Sequence, residues 1–219
     1  ISQTPLMGTM MTPFAPIANA VLANKPIRTV VEKVFGVHRD APMPPAQTQT
    51  IQGWLKKRGP RTTPATRCPV VFFHGCAGGY FEVETSKRSI EVLEHLGYEV
   101  VVPKQGCCGL AQQSNGLFDQ ASAAVLKLCD DLRAAGGELT IVSSSGSCTG
   151  MLKHEAHEIM GVSDDRLKDV GTRIRDMMEF LLELHDAGEL PAMAPIEMTV
   201  PYHAPCQLKS QGMGMPALE

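Results

Sequence analysis

At 219 residues with 43% apolar side chains, the chain is long and apolar enough to build an ordinary globular core. A formal charge of -3, a pI near 6.2 and only 5% aromatic residues exclude a basic or stacking surface for nucleic acid. The seven cysteines, an odd number in a chain showing no export signal, point to a reducing cytosol and to metal or redox chemistry.

From residue 1 to about residue 66 the chain is rich in Pro and Met, and Pro5, Pro13, Pro16 and Pro26 are expected to interrupt any long helix. An irregular segment follows from this, with short helical pieces at Ile17–Leu22 and Ile27–Phe35 and an extended linker from Pro42 to Thr50. No apolar run approaches the roughly 18 to 20 residues of a bilayer span, so neither a transmembrane segment nor a signal peptide is expected. The chain opens on Ile1 and reads as a fragment or a processed chain. Trp54, followed by Lys56, Lys57 and Arg58, either packs beside a solvated charge run or faces a partner or lipid surface.

Regular structure is expected from Pro69. Val70–Phe73 is a continuous apolar run ending in His74-Gly75-Cys76-Ala77-Gly78-Gly79, and a helix with Ile90, Leu93 and Leu96 follows. Tyr98–Pro103 is a second strand, leaving into Gly106-Cys107-Cys108-Gly109, and Phe118, Ala121, Val125, Leu128 and Leu132 mark a helix that Gly136-Gly137 stops. Leu139–Val142 is a third strand, followed by Ser143–Gly150 with Cys148 and a helix through Glu155. A long helix over Asp165–Ala187 comes next, and Ile196–Val200 is a fourth strand leading to His203 and Cys206. Repeated strand and helix, with strands too apolar to be half-exposed, predict an α/β fold: a three-layer parallel sheet with helices on both faces. In such a sheet the loops that leave the strands share one edge, so Cys76, Cys107, Cys108 and Cys148 are expected to converge.

One cysteine, then Cys107-Cys108-Gly109 some thirty residues later, then Ser145-Gly146-Ser147-Cys148, resembles the cysteine-rich CCG domain of heterodisulfide reductases. Leu6–Asn19 and His203-Ala204-Pro205-Cys206 resemble more specifically the iron-sulfur subunit of anaerobic glycerol-3-phosphate dehydrogenases. The resemblance implies a Rossmann-like domain over residues 67–195. A connecting segment, 1–66, precedes it, and a truncated second repeat begins at 196–219. It implies an electron-transfer subunit that takes electrons from a flavin-containing dehydrogenase partner toward the membrane quinone pool. Such a subunit is cytoplasmic and held at the inner face of the membrane through its partners. Cys76, Cys107, Cys108, Cys148 and Cys206 are the metal ligands so implied. The family's Cys-x-x-Cys has Ser145 in place of its first cysteine here, which puts a five-cysteine cluster in doubt.

Four thiolates suit a cubane 4Fe-4S cluster or a tetrahedral zinc, so a structural zinc-binding interaction domain stands as the alternative. A third reading takes Gly146-Ser147-Cys148-Thr149-Gly150 as a nucleophile elbow, with Cys148 attacking an ester, His185 or His203 as base, and Asp164 or Asp176 as orienter. Cys68 and Cys129 read as small buried core residues, and His154 with His157 as a solvated helix face. His74 and His203 are either structural or hydrogen-bond a cluster sulfur.

Overall fold

The computed structural model describes residues 4–61 and 63–215. Its elements are α1 (Thr4–Met11), α2 (Ala15–Ala23), α3 (Lys25–Phe35), α4 (Ile51–Arg58), β1 (Val70–Phe73), α5 (Gly75–Tyr80), α6 (Val83–His95), β2 (Val100–Val101) and α7 (Leu110–Gln113). After these come α8 (Phe118–Ala135), β3 (Ile141–Ser143), α9 (Gly146–Gly150), a π-helical turn (Met151–Glu155), α10 (Ala156–Glu158), α11 (Asp165–Arg173), β4 (Ile174–Asp176), α12 (Met177–Asp186) and α13 (Cys206–Ser210).

The strands form one parallel sheet in the order β2-β1-β3-β4, with Val71 opposite both Val101 and Ile141, and Ile141 opposite Ile174. Side chains alternate across a strand, and the sheet feeds two apolar clusters accordingly. Val71, Phe73, Ile141 and Ile174 pack with Val125, Leu128 and Leu132 of α8 and Leu167 and Val170 of α11. Val70, Phe72 and Val142 pack with Ile51 of α4, Ile90 and Leu93 of α6, and Phe180 and Leu184 of α12. Helices therefore cover both faces, which is why the strands carry no polar alternation.

The amino-terminal segment is helical, not irregular. Pro13, Pro16 and Pro26 fall in the opening positions of a 3-10 turn (Thr12–Phe14), α2 and α3, where a missing N–H costs nothing. Asn24 caps α3 by accepting from Ile27 N at 3.1 Å, and Gly36 ends it at φ 69°. Because the prolines start helices, the uncharged stretch Leu6–Ala23 is a helical run long and apolar enough, by length and composition, to cross a membrane. An expectation that breaks the run at each proline misses it.

Two further expectations fail. The helix expected over Asp165–Ala187 is split by β4, since Ile174 continues the sheet beside Ile141. Asp176 then restarts the helix with a capping box, accepting from Met178 N while Glu179 accepts from Asp176 N. Ile196–Val200 is not a strand: residues 191–205 form neither helix nor strand, and Ile196, Met198 and Val200 stay exposed. Trp54 packs partly against the second cluster with the Arg58 guanidinium 4.6 Å above its ring.

Phe72→Ala, which empties a fully buried site under β1, should cost about 3–5 kcal/mol in urea denaturation. Val34→Ala, on the exposed side of α3, should change stability by no more than about 0.5 kcal/mol. Equal losses would show that the α3 face belongs to the folding core.

Candidate metal centre

The strand order reverses at β1. The chain leaves β1 into α6, which packs in the second cluster, and leaves β3 into α9 and the π-helical turn, which pack in the first. Segments that depart to opposite faces open a crevice at the carboxyl edge between β1 and β3, the place where open α/β sheets hold their ligands. Cys76, in the first turn of α5, and Cys148, in α9, flank that crevice, and Cys107-Cys108 enters it from β2.

Cys108 Sγ lies 3.1 Å from Cys148 Sγ, and Cys107 Sγ lies 4.0 Å from Cys76 Sγ. Cys108 and Cys148 are buried, whereas Cys76 and Cys107 are half-buried. Gly75 packs so close to the Cys148 sulfur that a Cβ on it would meet Sγ at 3.3 Å. Hydrogen bonding with Cys108 and then Cys76 draws the Cys107 thiol down to about 3, and hydrogen bonding with Cys108, with a further bond to Ser145, lowers Cys148. Cys76 and Cys108 move the other way: contact with Cys107 and then burial push Cys76 up, and contact with Cys107 and Cys148 pushes Cys108 up. Cys107 and Cys148 thus shift toward thiolate while Cys76 and Cys108 shift away from it, an arrangement suited to a cation that displaces the remaining protons.

The loop carrying Cys107-Cys108 is held by Gln105, whose carboxamide takes the place of a peptide group of β2. Past Val101 the ladder ends, but Gln105 Oε1 accepts from His74 N at 2.9 Å and Gln105 Nε2 donates to Phe72 O at 3.0 Å. Gly109 adopts φ 81°, and a Cβ there would sit 2.7 Å from Ala121 O, so the glycine of Cys-Cys-Gly is required by backbone sterics. Gln112 is buried with its Oε1 4.0 Å from Cys107 Sγ.

The donor chemistry suits an iron-sulfur centre: four sulfurs gather at one edge. A tetrahedral single ion with metal–sulfur bonds near 2.3 Å needs sulfurs about 3.8 Å apart, which Cys76 and Cys107 approach but Cys108 and Cys148 undercut. Among the described residues no group of three or more His, Cys, Asp or Glu side chains is placed to hold one metal ion. Cys206 lies exposed at the start of α13, which packs against α9.

The remaining candidates sort by position. Cys129 is buried in the first cluster, its thiol pushed up to about 12 by burial. Cys68 is exposed rather than buried, because it precedes β1 outside the sheet. His74 is buried, its Nδ1 2.6 Å from Gly75 O and its Nε2 without a partner, and burial lowers it to about 4. His203, His154 and His157 are exposed. The hydrolase constellation is not assembled: Cys148 pairs with Cys108, His185 is an exposed residue beside Asp186, Asp164 is bound to Arg166, and Asp176 caps α12. Sequence reasoning gave no role to Gln105, Gln112 or Glu155, and named Ser145 only as a missing ligand. The available signal was nearness alone: Gln105, Gln112 and Ser145 each lie within four positions of a cysteine, and Glu155 carries no such signal.

Gln105→Ala should leave the Phe72 carbonyl and the His74 amide unpaired and cost about 1–3 kcal/mol in denaturation of the metal-free protein. An unchanged midpoint would show that the carboxamide does not hold this loop.

Residues 70–153 match the family described as cysteine-rich domain, CCG. Over its full length the chain is 29% identical to a subunit of the anaerobic glycerol-3-phosphate dehydrogenase of Escherichia coli (strain K12), covering 55% of that protein. It is 28% identical, over 64% of its length, to lactate utilization protein A of Geobacillus thermodenitrificans, covering 57% of that protein. The chain spans about half the length of these curated relatives. No solved structure is a significant match. The segment 70–153, where β1, β2 and β3 bring the four thiols to one edge, is thus the part of the chain that matches the cysteine-rich CCG family.

Proposed function

We propose that the chain is an electron-carrying subunit whose Cys76, Cys107, Cys108 and Cys148 hold an iron-sulfur centre of the 4Fe-4S type, with Cys206 brought to its rim by α13. The reading is carried by one observation: four thiols from three successive strand-to-helix loops gather within a CCG domain. When bound, such a centre takes up and passes on one electron at a time. The chain's own contribution is to bury Cys108 and Cys148 away from water, favour thiolate at Cys107 and Cys148, and fix the loops through Gln105 and Gly109.

The full-length similarity to a glycerol-3-phosphate dehydrogenase subunit supports an assembly with the other subunits of such an enzyme. Electrons then enter from a flavin-containing subunit that oxidises glycerol 3-phosphate and leave toward membrane quinone. A cytoplasmic complex on the inner membrane face fits the apolar run Leu6–Ala23. The second reading, a structural zinc, is favoured only by the Cys76–Cys107 spacing.

Protein prepared without oxygen should contain iron and acid-labile sulfide. Stoichiometric zinc with no sulfide would replace this reading with the structural one. Cys76→Ser, Cys107→Ser, Cys108→Ser and Cys148→Ser should each lose or reshape the visible spectrum, because thiolates on one centre act as a unit. Cys129→Ser should keep its iron per folded molecule while losing about 1–3 kcal/mol of stability to a poorly paired buried hydroxyl. Cys68→Ser should keep both. A wild-type spectrum in Cys108→Ser would show that the site lies elsewhere.

A further inference from the structure

Glu155 closes the π-helical turn after Cys148, and its carboxylate joins segments far apart in sequence. Its Oε2 accepts from Gln113 Nε2 at 3.2 Å, on the helix that follows the Cys-Cys-Gly loop. Its Oε1 accepts from Gln207 Nε2 at 2.9 Å, the residue after Cys206. A second tie runs from Gln211 Nε2 to Gly146 O at 3.2 Å, on the helix that carries Cys148. Gly150 permits this approach, since a Cβ there would meet Gln207 Oε1 at 2.7 Å and Gln211 Nε2 at 3.0 Å.

The docking is not self-sustaining. A helix of five residues does not persist on its own, and residues 191–205 before it belong to neither helix nor sheet. Closure also buries the side-chain oxygens of Gln207 and Gln211 without partners, which opposes it. The bonds to Glu155 are charge-assisted and hence the stronger ties.

We propose that Glu155 is a positioning residue. Its carboxylate clasps the Cys206-bearing helix to the Cys148 helix and to the segment after Cys107-Cys108, keeps Cys206 at the rim of the thiol site, and closes that rim to solvent. The clasp is a property of the chain alone; its effect on metal retention rests on the iron-sulfur reading above.

Hydrogen exchange on the metal-free protein tests the clasp. In the wild type, amides of α13 should be protected. Glu155→Ala, and independently Gln207→Ala, should speed their exchange at least about tenfold while β1 and β3 stay protected. Glu155→Gln should speed exchange less than Glu155→Ala, because its carboxamide still accepts from Gln207 but lacks the charge that strengthens the bond. Glu155→Gln combined with Gln207→Glu restores a bond of reversed direction and should recover protection. Unprotected α13 in the wild type, exchange indifferent to Glu155→Ala and Gln207→Ala, or no recovery in the swapped pair would each overturn the clasp. In reconstituted protein, a chelator should remove iron at least threefold faster from Glu155→Ala. Release at the wild-type rate from a variant whose α13 is freed would overturn closure of the rim. A wild type that takes up no iron would instead reject the iron-sulfur reading, leaving exchange to decide the clasp.

Discussion

Parallel pairing on both sides of β1 is the constraint on which the rest of the molecule depends. Val71 faces Val101 on one neighbour and Ile141 on the other, so β1 cannot shift register without breaking two ladders. All four residues of β1 are buried, and the alternation of the strand divides them between two cores. A one-residue slip would exchange the two faces and send Phe72 and Phe73 into the wrong clusters. The same central position reverses the strand order between β1 and β3. The crevice, and the meeting of Cys76 with Cys107 and of Cys108 with Cys148, follow from that reversal.

Within the crevice the electrostatics are unusual for a buried place. Burial by itself raises a thiol, and it does so at Cys129, which has no sulfur partner. At the carboxyl edge the four thiols instead share protons, so that Cys107 and Cys148 gain thiolate character at the expense of Cys76 and Cys108. Ser145 serves the site by hydrogen-bonding Cys148. Gln105 shows how the loops are kept in place without further strand: its carboxamide reproduces one rung of a ladder that β2 is too short to supply.

That the loops carrying the four cysteines share one edge of the sheet was legible from the sequence, because right-handed connections put them there once apolar runs mark the strands at Val70–Phe73 and Ile141–Val142. What escaped was decided by tertiary contact or by capping. Ile174 sits in helical register with Val170 and Met177, and only the vacant edge of β3 draws it into the sheet. The spacing of Asp176 and Glu179 held the signal of a new helix start, but the apolar period overshadowed it. Pro13 and Pro16 read as breaks in isolation, whereas their positions in the first turns make them starts, and the apolar run Leu6–Ala23 depends on that difference. Ile196–Val200 has the composition of a strand without a neighbour to pair with among the described residues. Cys68 misleads because a cysteine beside an apolar run reads as core, while the sheet ends before it.

The π-helical turn Met151–Glu155 explains how Cys148 is fixed from two sides at once. π-turns are rare and cluster at functional sites, where they redirect the side chains that follow. Residues two apart on such a turn point in nearly opposite directions. Here Lys153 reaches back to both oxygens of Glu179 at 2.7 Å, on α12. Glu155 reaches out to α7 and α13. Lys153 and Glu179 are partly withdrawn from solvent, and Glu179 also accepts from Asp176 N, so the ion pair joins the turn to the end of β4. That end of the brace lies on α12, whose Phe180 and Leu184 are buried in the second cluster. The other end rests on Gln113 of α7, whose Leu110 packs against the first cluster, and on Gln207 of the five-residue α13. The turn after Cys148 is therefore tied to α12 and the end of β4 on one side and to α7 and α13 on the other.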